Sequence, residues 1–588
     1  MVDYALKTVD ASGQRQTLGS AWRALKPLLA DQKRNVAIAV ACVIFTTISQ
    51  LLSPILNARI LDTAIPMKDY RQLLLYAGGL AVIYLLSLRT SYVQTVSMGR
   101  VGRNTVFKLR NALFGQLSRL PIAFFAQNRA GDLISRVNSD TEKINNFFSQ
   151  ALMQMFGNLF LVVGAGVLLL ALNWRMGMVA LIPAAAMLII TRVLSPWVMR
   201  SSRQSMDSLG ALSADVSESL ANFQVIAAFN RRDYFREKFG AANRRNYRAS
   251  VTAGVATGLF QPLYTLAGSA AQILVLALGV WLIGRHQLTV GLLVGYLLYV
   301  STFYNPLRQL ATVWSSWQTM LAAMDRVSEV LNLENNLVQE PAAQPGAKGH
   351  LLAFENVDFA YPGGKPVLSD VSLTLERGRT YALVGPTGGG KTTTAMLMAR
   401  LYDPSRGSVY LDGQDIRSLD AGDKTRRIGF ILQDPFLLSG TIRDNIVYGN
   451  PELAALDDEA LLELMASQGL SGFLARFGEL GLQTPVKGTG DGLSLGQRQL
   501  VAFLRAVLRR PEILILDEAT ANIDTVTEQM LEEVLARLPP ATTKVIIAHR
   551  LNTIQNADEI FFVGGGALTA AGSMEHAVGM LLSHERAS

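Results

Sequence analysis

The composition of this 588-residue chain excludes an ordinary soluble protein, because 50% of its residues are hydrophobic and only 17% are charged. The mean hydropathy of +0.25 fits a membrane protein with a soluble portion, and the length fits two or three domains. The single cysteine, Cys42, excludes a disulfide framework or a cysteine-ligated zinc site within one chain. The first 30 residues are polar and mixed in charge, so no cleavable signal peptide is expected.

Six apolar blocks occupy the first 320 residues, and each reaches the roughly 20 residues that a helix needs to cross a bilayer. The predicted spans are about 35–61, 72–94, 148–172, 176–198, 254–284 and 290–320. We therefore expect a transmembrane domain over 35–330. An N-terminal cytoplasmic segment, 1–34, precedes it, and its residues 20–32 are predicted to form an amphipathic helix at the membrane interface.

Short links join the blocks into three pairs, and two long stretches between the pairs are rich in basic residues. These residues are Arg100, Arg103, Lys108, Arg110, Arg119, Arg129, Arg136, Lys143, Arg200, Arg203, Arg231, Arg232, Arg236, Lys238, Arg244, Arg245 and Arg248. Positive charge marks the cytoplasmic side, so both termini and both long stretches are predicted to be cytoplasmic, in a multi-pass protein of the plasma (inner) membrane. A nucleic-acid-binding surface would not alternate in register with spans, so no nucleic-acid partner is expected despite the net charge of +8.

The long stretches also have helical periodicity, because apolar residues recur at intervals of three and four between Val106 and Leu120. We predict membrane helices that continue into the cytoplasm, turn near 121–131 and 218–229, and return.

The character of the chain changes after Leu331. A linker, 331–349, contains two prolines, and strand and helix patterns alternate over 350–588. This alternation predicts a soluble α/β domain. The predicted fold is thus an all-α membrane domain of six helices followed by an α/β domain.

The segment Gly385-Pro-Thr-Gly-Gly-Gly-Lys-Thr392 matches the phosphate-binding loop G-x-x-x-x-G-K-[ST]. It follows a strand at Thr380–Val384 and opens a helix predicted over Thr392–Leu401. Backbone N–H groups of such a loop converge on phosphate oxygens, Lys391 would bridge the β- and γ-phosphates, and the Thr392 hydroxyl would bind Mg²⁺. The nucleotide-binding residues predicted here are Gly385, Thr387, Gly388, Gly389, Gly390, Lys391, Thr392 and Thr393.

An apolar strand that ends in two carboxylates, Ile513-Leu-Ile-Leu-Asp-Glu518, follows about 125 residues later. In a P-loop NTPase, Asp517 would bind Mg²⁺ and Glu518 would accept a proton from the attacking water.

A third motif, Leu493-Ser-Leu-Gly-Gln497, lies between these two and resembles the L-S-G-G-Q signature of the ABC ATPases. The family's other motifs occur in the same order. They are represented by Tyr361 for the aromatic residue that stacks on adenine, Gln433 for the glutamine that touches Mg²⁺ and the attacking water, Asp524 for the loop that crosses the dimer interface, and His549 for the histidine that contacts the γ-phosphate.

The resemblance implies an exporter-type half-transporter that binds ATP and Mg²⁺ and hydrolyses ATP. Glu518, His549 and Gln433 would be catalytic, and Thr392, Gln433 and Asp517 would bind the metal. In this family the signature of one ATPase domain completes the phosphate loop of another, so Ser494, Gly496 and Gln497 would contact a nucleotide held by a second half-transporter. The chain has one copy of each motif, so a homodimer or a heterodimer is expected.

Three departures from the family pattern affect the expected details. Leu495 replaces a signature glycine, Gly389 occupies a position where serine or alanine is usual, and the segment 484–490 lacks both glutamates of T-E-V-G-E-R-G. That segment contacts the membrane domain in exporters, so its altered charge concerns coupling rather than hydrolysis.

The substrate stays open at the sequence level. Aromatic residues of the sixth span, from Tyr296 to Trp317, suit an amphipathic substrate if they face a cavity, but packing between helices or a place at the membrane interface is the favoured interpretation. Arg89 and Arg192 lie within spans, where they could pair with an anionic substrate or reach the membrane surface. An importer of a small chelate with an exporter fold, and an ATP-gated channel or regulator, remain alternatives to export.

Overall fold

The structure is a computed structural model that describes residues 4–6, 30–335, 337, 339, 349–433, 435–470, 481–488, 492–517, 525–547, 556–572 and 574–587. Contacts divide the chain into two compact units. The sheet unit comprises Met1–Leu6, Arg119–Ala130 and Leu333–Ser588, and the helical unit comprises Lys7–Ser118 and Gly131–Asn332.

Long helices dominate the chain up to residue 331. They are α1 (Lys33–Ala64), α2 (Tyr70–Leu117), α3 (Ile122–Gln127), α4 (Ala130–Leu172), α5 (Trp174–Ala221), α6 (Phe223–Ala228), α7 (Arg232–Gly284) and α8 (Val290–Leu331). Among the described residues, six of these helices are long and apolar enough to cross a membrane, and only the short α3 and α6 are not. Of the interfacial helix predicted at 20–32, only Ala30–Gln32 is described, and it forms one 3₁₀ turn.

The six long helices have 32 to 53 residues, more than the roughly 20 that a bilayer requires. Four of them, α2, α4, α5 and α7, extend into the long stretches predicted to be cytoplasmic, α7 with a turn at Leu259, and α3 and α6 occupy the two predicted turns. The turn with α3 belongs to the sheet unit, and its Phe124 is completely buried. The turn with α6 belongs to the helical unit, where Phe223 and Phe229 are 54% and 76% exposed.

Tyrosine hydroxyls tie α8 to its neighbours in the helical unit. Tyr296 donates to the carbonyl oxygens of Leu169 (2.8 Å) and Asn173 (3.0 Å), and Tyr304 donates to that of Ala180 (2.8 Å). Tyr299 donates to the Leu51 carbonyl of α1. Because these side chains are at most 5% exposed, these tyrosines of the sixth span pack helices together.

A buried ion-pair network joins α4 to α8 in the stretch predicted to be cytoplasmic. Arg136, 1% exposed, donates from Nη1 to the Arg326 carbonyl (2.6 Å) and to Glu329 Oε2 (2.7 Å), and its Nε pairs with Asp132 (3.2 Å). Arg326 in turn pairs with the fully buried Asp140 at 2.9 Å. Opposite charges thus compensate each other where burial would otherwise be costly.

Three sheets form the framework of the sheet unit. The strands are β1 (Leu352–Ala360), β2 (Pro366–Leu375), β3 (Thr380–Val384), β4 (Arg406–Leu411), β5 (Gln414–Asp415), β6 (Ile428–Ile431), β7 (Gly440–Thr441), β8 (Pro485–Val486), β9 (Ile513–Asp517), β10 (Thr543–Ile547), β11 (Glu559–Gly564) and β12 (Ala567–Ala570). The largest sheet has the order β12-β11-β3-β10-β9-β6, and only its edge strand β12 is antiparallel. A four-stranded antiparallel sheet has the order β2-β1-β4-β5, and β7 pairs with β8.

The described part of the sheet unit also contains eight helices after residue 390. They are α9 (Lys391–Met398), α10 (Ala421–Arg427), α11 (Ile442–Ile446), α12 (Pro451–Ala454), α13 (Asp458–Ser467), α14 (Leu495–Val507), α15 (Thr525–Arg537) and α16 (Met574–Ala587). All five residues of β9 are buried, as expected for a parallel strand covered on both faces.

The prediction of a helix over Thr392–Leu401 is wrong about where that helix ends. It stops at Met398, and Arg400 just beyond takes a left-handed conformation (φ 48°) typical of a helix terminus.

Candidate nucleotide-binding site

The phosphate-binding loop connects β3 to α9 at the carboxyl edge of the parallel sheet. Its backbone needs glycine at Gly385 and Gly390, whose φ angles are 153° and 106°. A Cβ atom at Gly385 would lie 2.0 Å from the Val563 carbonyl oxygen of β11. A Cβ atom at Gly389 would lie 2.6 Å from the same oxygen, which explains the glycine where serine or alanine is usual. The loop thus forms a narrow backbone cradle of the kind that binds phosphate.

Lys391 begins α9 and is only 6% exposed. Its Nζ donates to the carbonyl oxygens of Gly385 (2.8 Å) and Pro386 (3.0 Å), both in the loop itself. The side chain therefore folds back over the cradle, with a buried ammonium group beside the N-terminus of a helix. This concentration of positive potential favours the phosphates of a nucleotide.

The metal-binding residues predicted from the sequence are partly brought together. Thr392 Oγ1 donates to Asp517 Oδ1 at 3.2 Å, and Asp517 is 4% exposed at the end of β9. Gln433 is exposed and lies two residues beyond β6. Because β6 and β9 are parallel with Ile431 opposite Leu516, Gln433 follows the same edge of the sheet. Hydroxyl, carboxylate and amide oxygens are suitable ligands for Mg²⁺.

Three predicted site residues lie outside the described part of the chain: Glu518, Asp524 and His549. Glu518 immediately follows β9 in the sequence, and His549 follows β10 by two residues. Their roles stay predictions.

An aromatic cluster lies beside the loop. Tyr361 contacts Phe359 and Tyr402 edge-on, with ring centroids 4.9 and 5.4 Å away, and its hydroxyl is 3.0 Å from Thr393 Oγ1. Thr393 and Lys391 are both in α9, so the half-buried Tyr361 ring is held next to the phosphate cradle, as a residue that stacks on adenine requires. Burial raises the pKa of Tyr402, which therefore stays neutral.

Sequence reasoning missed Tyr402. It packs on both other rings and thereby supports Tyr361. The available signal was an aromatic residue four positions beyond the loop's helix and just before Asp403-Pro404.

The signature residues form the start of α14. Ser494 is the N-cap, and a capping box joins it to Gln497: Gln497 N donates to Ser494 Oγ (3.2 Å) and Ser494 N donates to Gln497 Oε1 (2.9 Å). Because the Ser494 oxygen accepts the capping bond, its proton is left to donate outward from this exposed residue. Gly496 follows in the first turn. Leu495 is already helical, so its position does not need the conformational freedom of glycine.

The altered segment before the signature is described over 484–488. Its strand β8 pairs with β7, and Ile442 N donates to the Thr484 carbonyl oxygen at 3.0 Å. The segment is thus fixed to the start of α11, while residues 489–491 lie outside the described residues.

Comparison with known proteins agrees with this arrangement. The family profile described as "ABC transporter transmembrane region" matches residues 36–307, and the profile described as "ABC transporter" matches residues 368–521. An uncharacterised ABC transporter ATP-binding protein of Bacillus subtilis, YfiC, is 32% identical over 98% of this chain and 94% of its own length. A fatty acid ABC transporter ATP-binding/permease protein of Mycobacterium bovis is 33% identical over 84% of this chain and 77% of its own. A multidrug resistance ABC transporter of Lactococcus lactis is 30% identical over 83% of this chain and 82% of its own.

Membrane-length helices and a P-loop ATPase domain in one chain define a membrane-bound ATPase that couples hydrolysis to transport. The chain belongs to the ABC transporter family and has the domain organisation of an exporter-type half-transporter.

Proposed function

We propose that two copies of this chain form an ATP-driven exporter of anionic amphipathic molecules. The observation that carries the proposal is that a chain with six membrane-length helices contains both one phosphate cradle, at Lys391 and Thr392, and one exposed signature serine, Ser494. One chain supplies both components of a nucleotide site, and a second copy allows two such sites.

The residues of the cradle account for ATP binding and support hydrolysis. Lys391 would exchange its loop carbonyl partners for phosphate oxygens, while Thr392 and Asp517 would hold Mg²⁺. When bound, Mg²⁺ neutralises charge that develops on the phosphates. Glu518 would accept the proton of the attacking water, and Gln433 and His549 would orient the water and the γ-phosphate.

The two cytoplasmic turns support a dimer. The α3 turn belongs to its own sheet unit, but the α6 turn belongs to the helical unit and exposes Phe223, Val225 and Phe229. Exposed apolar groups on a cytoplasmic turn need a partner surface. In the proposed dimer, the sheet unit of the other copy covers them and moves them when nucleotide binds.

The charge distribution supports the orientation. Basic residues concentrate in the long helical extensions, which supports a cytoplasmic location of these extensions and of the ATPase domain in a plasma (inner) membrane protein. The relative named for multidrug resistance supports outward transport, and the relative named for fatty acid transport supports an anionic amphipathic substrate.

Three arginines support an anionic substrate. Arg89, Arg192 and Arg308 each lie about 27–29 Å from the outer end of α2, α5 and α8, at 1.5 Å per residue. No described carboxylate pairs with any of them, and residues 70–100, 147–206 and 254–324 contain no Asp or Glu. Uncompensated positive charge at one depth of the inner leaflet would attract an anionic headgroup.

Complementation between two inactive variants tests the dimer. Lys391→Ala disables the cradle and Ser494→Arg disables the signature, so each variant alone should lack ATPase activity. In a mixed dimer, one cradle and one signature from different copies remain intact. Co-expression should therefore restore about a quarter of the wild-type rate, because about half of the dimers are mixed and each has one intact site of two. No recovery in isolated mixed dimers would contradict sites shared between copies.

The other functions become outcomes of a transport assay in vesicles. Uptake into inside-out vesicles indicates export, and ATP-driven loss from preloaded inside-out vesicles would indicate import. Flux that only dissipates an existing gradient would indicate an ATP-gated channel.

A further inference from the structure

Residues 4–6, which we call the N-terminal strap, bind the turn that contains α3. Tyr4 N donates to Gln127 Oε1 at 2.9 Å, and Leu6 N donates to Asn128 Oδ1 at 3.0 Å. Asn128 Nδ2 in turn donates a hydrogen bond to the Tyr4 carbonyl oxygen at 2.9 Å. All of these residues belong to the sheet unit.

The pairing of Asn128 with the strap imitates a β-bridge. In extended backbone, the carbonyl of one residue and the N–H two residues later point to the same side. The Asn128 amide bonds to both groups, the carbonyl of Tyr4 and the N–H of Leu6. Asn128 Nδ2 also donates to the Phe124 carbonyl (2.7 Å), so one side chain both closes the end of α3 and holds the strap.

The Tyr4 side chain extends the strap to a third segment. Tyr4 is 1% exposed, and its ring packs edge-on against the buried Phe124 with centroids 6.4 Å apart. Its hydroxyl donates to the Glu334 carbonyl oxygen at 2.9 Å. Glu334 follows the end of α8 by three residues, at the beginning of the linker to the ATPase domain.

We infer that the N-terminal strap positions the α3 turn against the start of the linker, and that this contact transmits the nucleotide-driven movement of the ATPase domain to the membrane helices. Tyr4 is a positioning residue in this inference, because it touches neither nucleotide nor substrate. The strap joins the turn between α2 and α4 to the chain that leaves α8. Without it, these two connections are free to move separately, and hydrolysis proceeds with less movement of the membrane helices.

The test separates hydrolysis from movement, and it rests on the proposed ATP-driven transport cycle. Cys42, the single cysteine of the chain, is half-buried in α1 and is labelled with a bimane fluorophore for this test. The full-length protein in lipid nanodiscs is compared with Tyr4→Ala, Tyr4→Phe and a deletion of residues 2–6. The readouts are basal ATPase activity, melting temperature and the bimane spectral shift on trapping with ATP and vanadate.

Tyr4→Ala and the deletion should keep at least half of the basal ATPase rate and the wild-type melting temperature within about 3 °C. Their bimane shift should fall at least threefold. Tyr4→Phe keeps the ring on Phe124 and loses only the bond to Glu334, so it should retain an intermediate shift. The control Tyr70→Ala removes a tyrosine that is 74% exposed and should change nothing.

An unchanged shift in Tyr4→Ala would overturn the inference. A loss of shift and hydrolysis in equal proportion, together with a lower melting temperature, would also overturn it, because the strap would then serve only the fold. If the wild type itself gave no shift with ATP and vanadate, the proposed transport cycle would fail rather than the strap.

Discussion

The two units of the chain use their polar side chains in opposite ways. In the sheet unit, Lys391, Thr392 and Ser494 lie at the open edge of a sheet or at a helix start, arranged toward ligands. In the helical unit, the buried hydroxyls of Tyr296 and Tyr304 are bonded to backbone carbonyls of their own chain. The predicted nucleotide chemistry thus depends on short local motifs, whereas the proposed selection of an anionic substrate depends on charges that the packing leaves uncompensated.

The largest effect is expected at the cradle. Lys391→Ala should lower ATP hydrolysis by about 10²-fold or more, because a preorganised charge at the phosphates is lost. Steady-state phosphate release from the purified protein measures it. Arg426→Ala, which removes a cation with a 76% exposed side chain from the same domain, is the control and should hydrolyse ATP normally. Full ATP hydrolysis by Lys391→Ala would contradict the claim that the polar side chains of the sheet unit are arranged toward a nucleotide.

Substitution of Arg136 should lower the stability of the helical unit, whereas substitution of Lys391 should lower ATP hydrolysis. Arg136→Ala removes the buried partner of Glu329, while Asp132 keeps its pair with Arg326, and should destabilise the helical unit by about 1–3 kcal/mol. Denaturation in detergent, followed by circular dichroism, measures it. Lys238→Ala, which breaks the surface pairs with Asp215 and Glu218, should cost clearly less than Arg136→Ala. Equal costs for the two variants would contradict the assignment of a buried network.

Tyr361→Ala should raise the KM for ATP about tenfold, because loss of base stacking costs about 1–3 kcal/mol. Tyr361→Phe loses only the contact with Thr393 and should stay within about twofold of the wild type, since a neutral hydrogen bond contributes about 1 kcal/mol or less here. Tyr402→Ala should have a smaller effect than Tyr361→Ala because Tyr402 acts through its ring contact with Tyr361. A larger effect at Tyr402 would reverse this assignment.

Stimulation of ATPase activity by oleate, an anionic amphiphile, should fall about threefold to tenfold in a variant with Arg89→Gln, Arg192→Gln and Arg308→Gln, as expected for weakened charge attraction at the membrane surface. Stimulation by a cationic amphiphile should not fall. Arg285→Gln removes an arginine at the outer end of α7, stacked on Trp281 at 4.0 Å, and should leave both responses intact. Equal loss for both amphiphiles would indicate that the three arginines only anchor the helices.

The smallest effect concerns pH. Hydrogen bonds from Arg427 and Arg377 hold the pKa of Glu512 below its ordinary value. A lowered folded-state pKa stabilises the fold above the unfolded-state pKa, and this stabilisation is lost as pH falls through the folded-state pKa. Glu512→Gln should therefore destabilise the protein by about 0.2–1 kcal/mol at pH 7 and by less near pH 3.

Thermal unfolding at the two pH values measures the Glu512 effect. Glu463→Gln, exposed on α13 and without an ion pair among the described residues, should show no such difference. An equal destabilisation by Glu512→Gln at both pH values would contradict the explanation by a lowered pKa.

The phosphate-binding loop and the acidic strand end could be predicted from the sequence because each is a continuous segment with a fixed place on a parallel sheet, while the roles of their residues stay predictions. The loop after β3 and Asp517 at the end of β9 meet through the bond from Thr392, as such segments must when their strands are parallel. The end of α9 was missed because Arg400 adopts a left-handed conformation that periodicity does not reveal. Tyr402 was missed because its role arises only from packing on Tyr361.

The helical unit was less predictable for a physical reason. Hydropathy gives the six spans, but it cannot tell whether Tyr299 faces a cavity or another helix. The structure decides, because its hydroxyl is bonded to the Leu51 carbonyl of α1. The contact of Tyr4 with Glu334, 330 residues apart, has no sequence signature.

Transport in inside-out membrane vesicles tests the central claim most directly. The vesicles contain the wild-type chain or Glu518→Gln, and ATP-dependent uptake of a fluorescent fatty acid is followed. The wild type should accumulate the probe above its equilibrium level, and Glu518→Gln, without the proposed catalytic base, should reduce the uptake rate about 10²-fold. Equal accumulation with Glu518→Gln, or only equilibration with the wild type, would contradict an ATP-driven exporter.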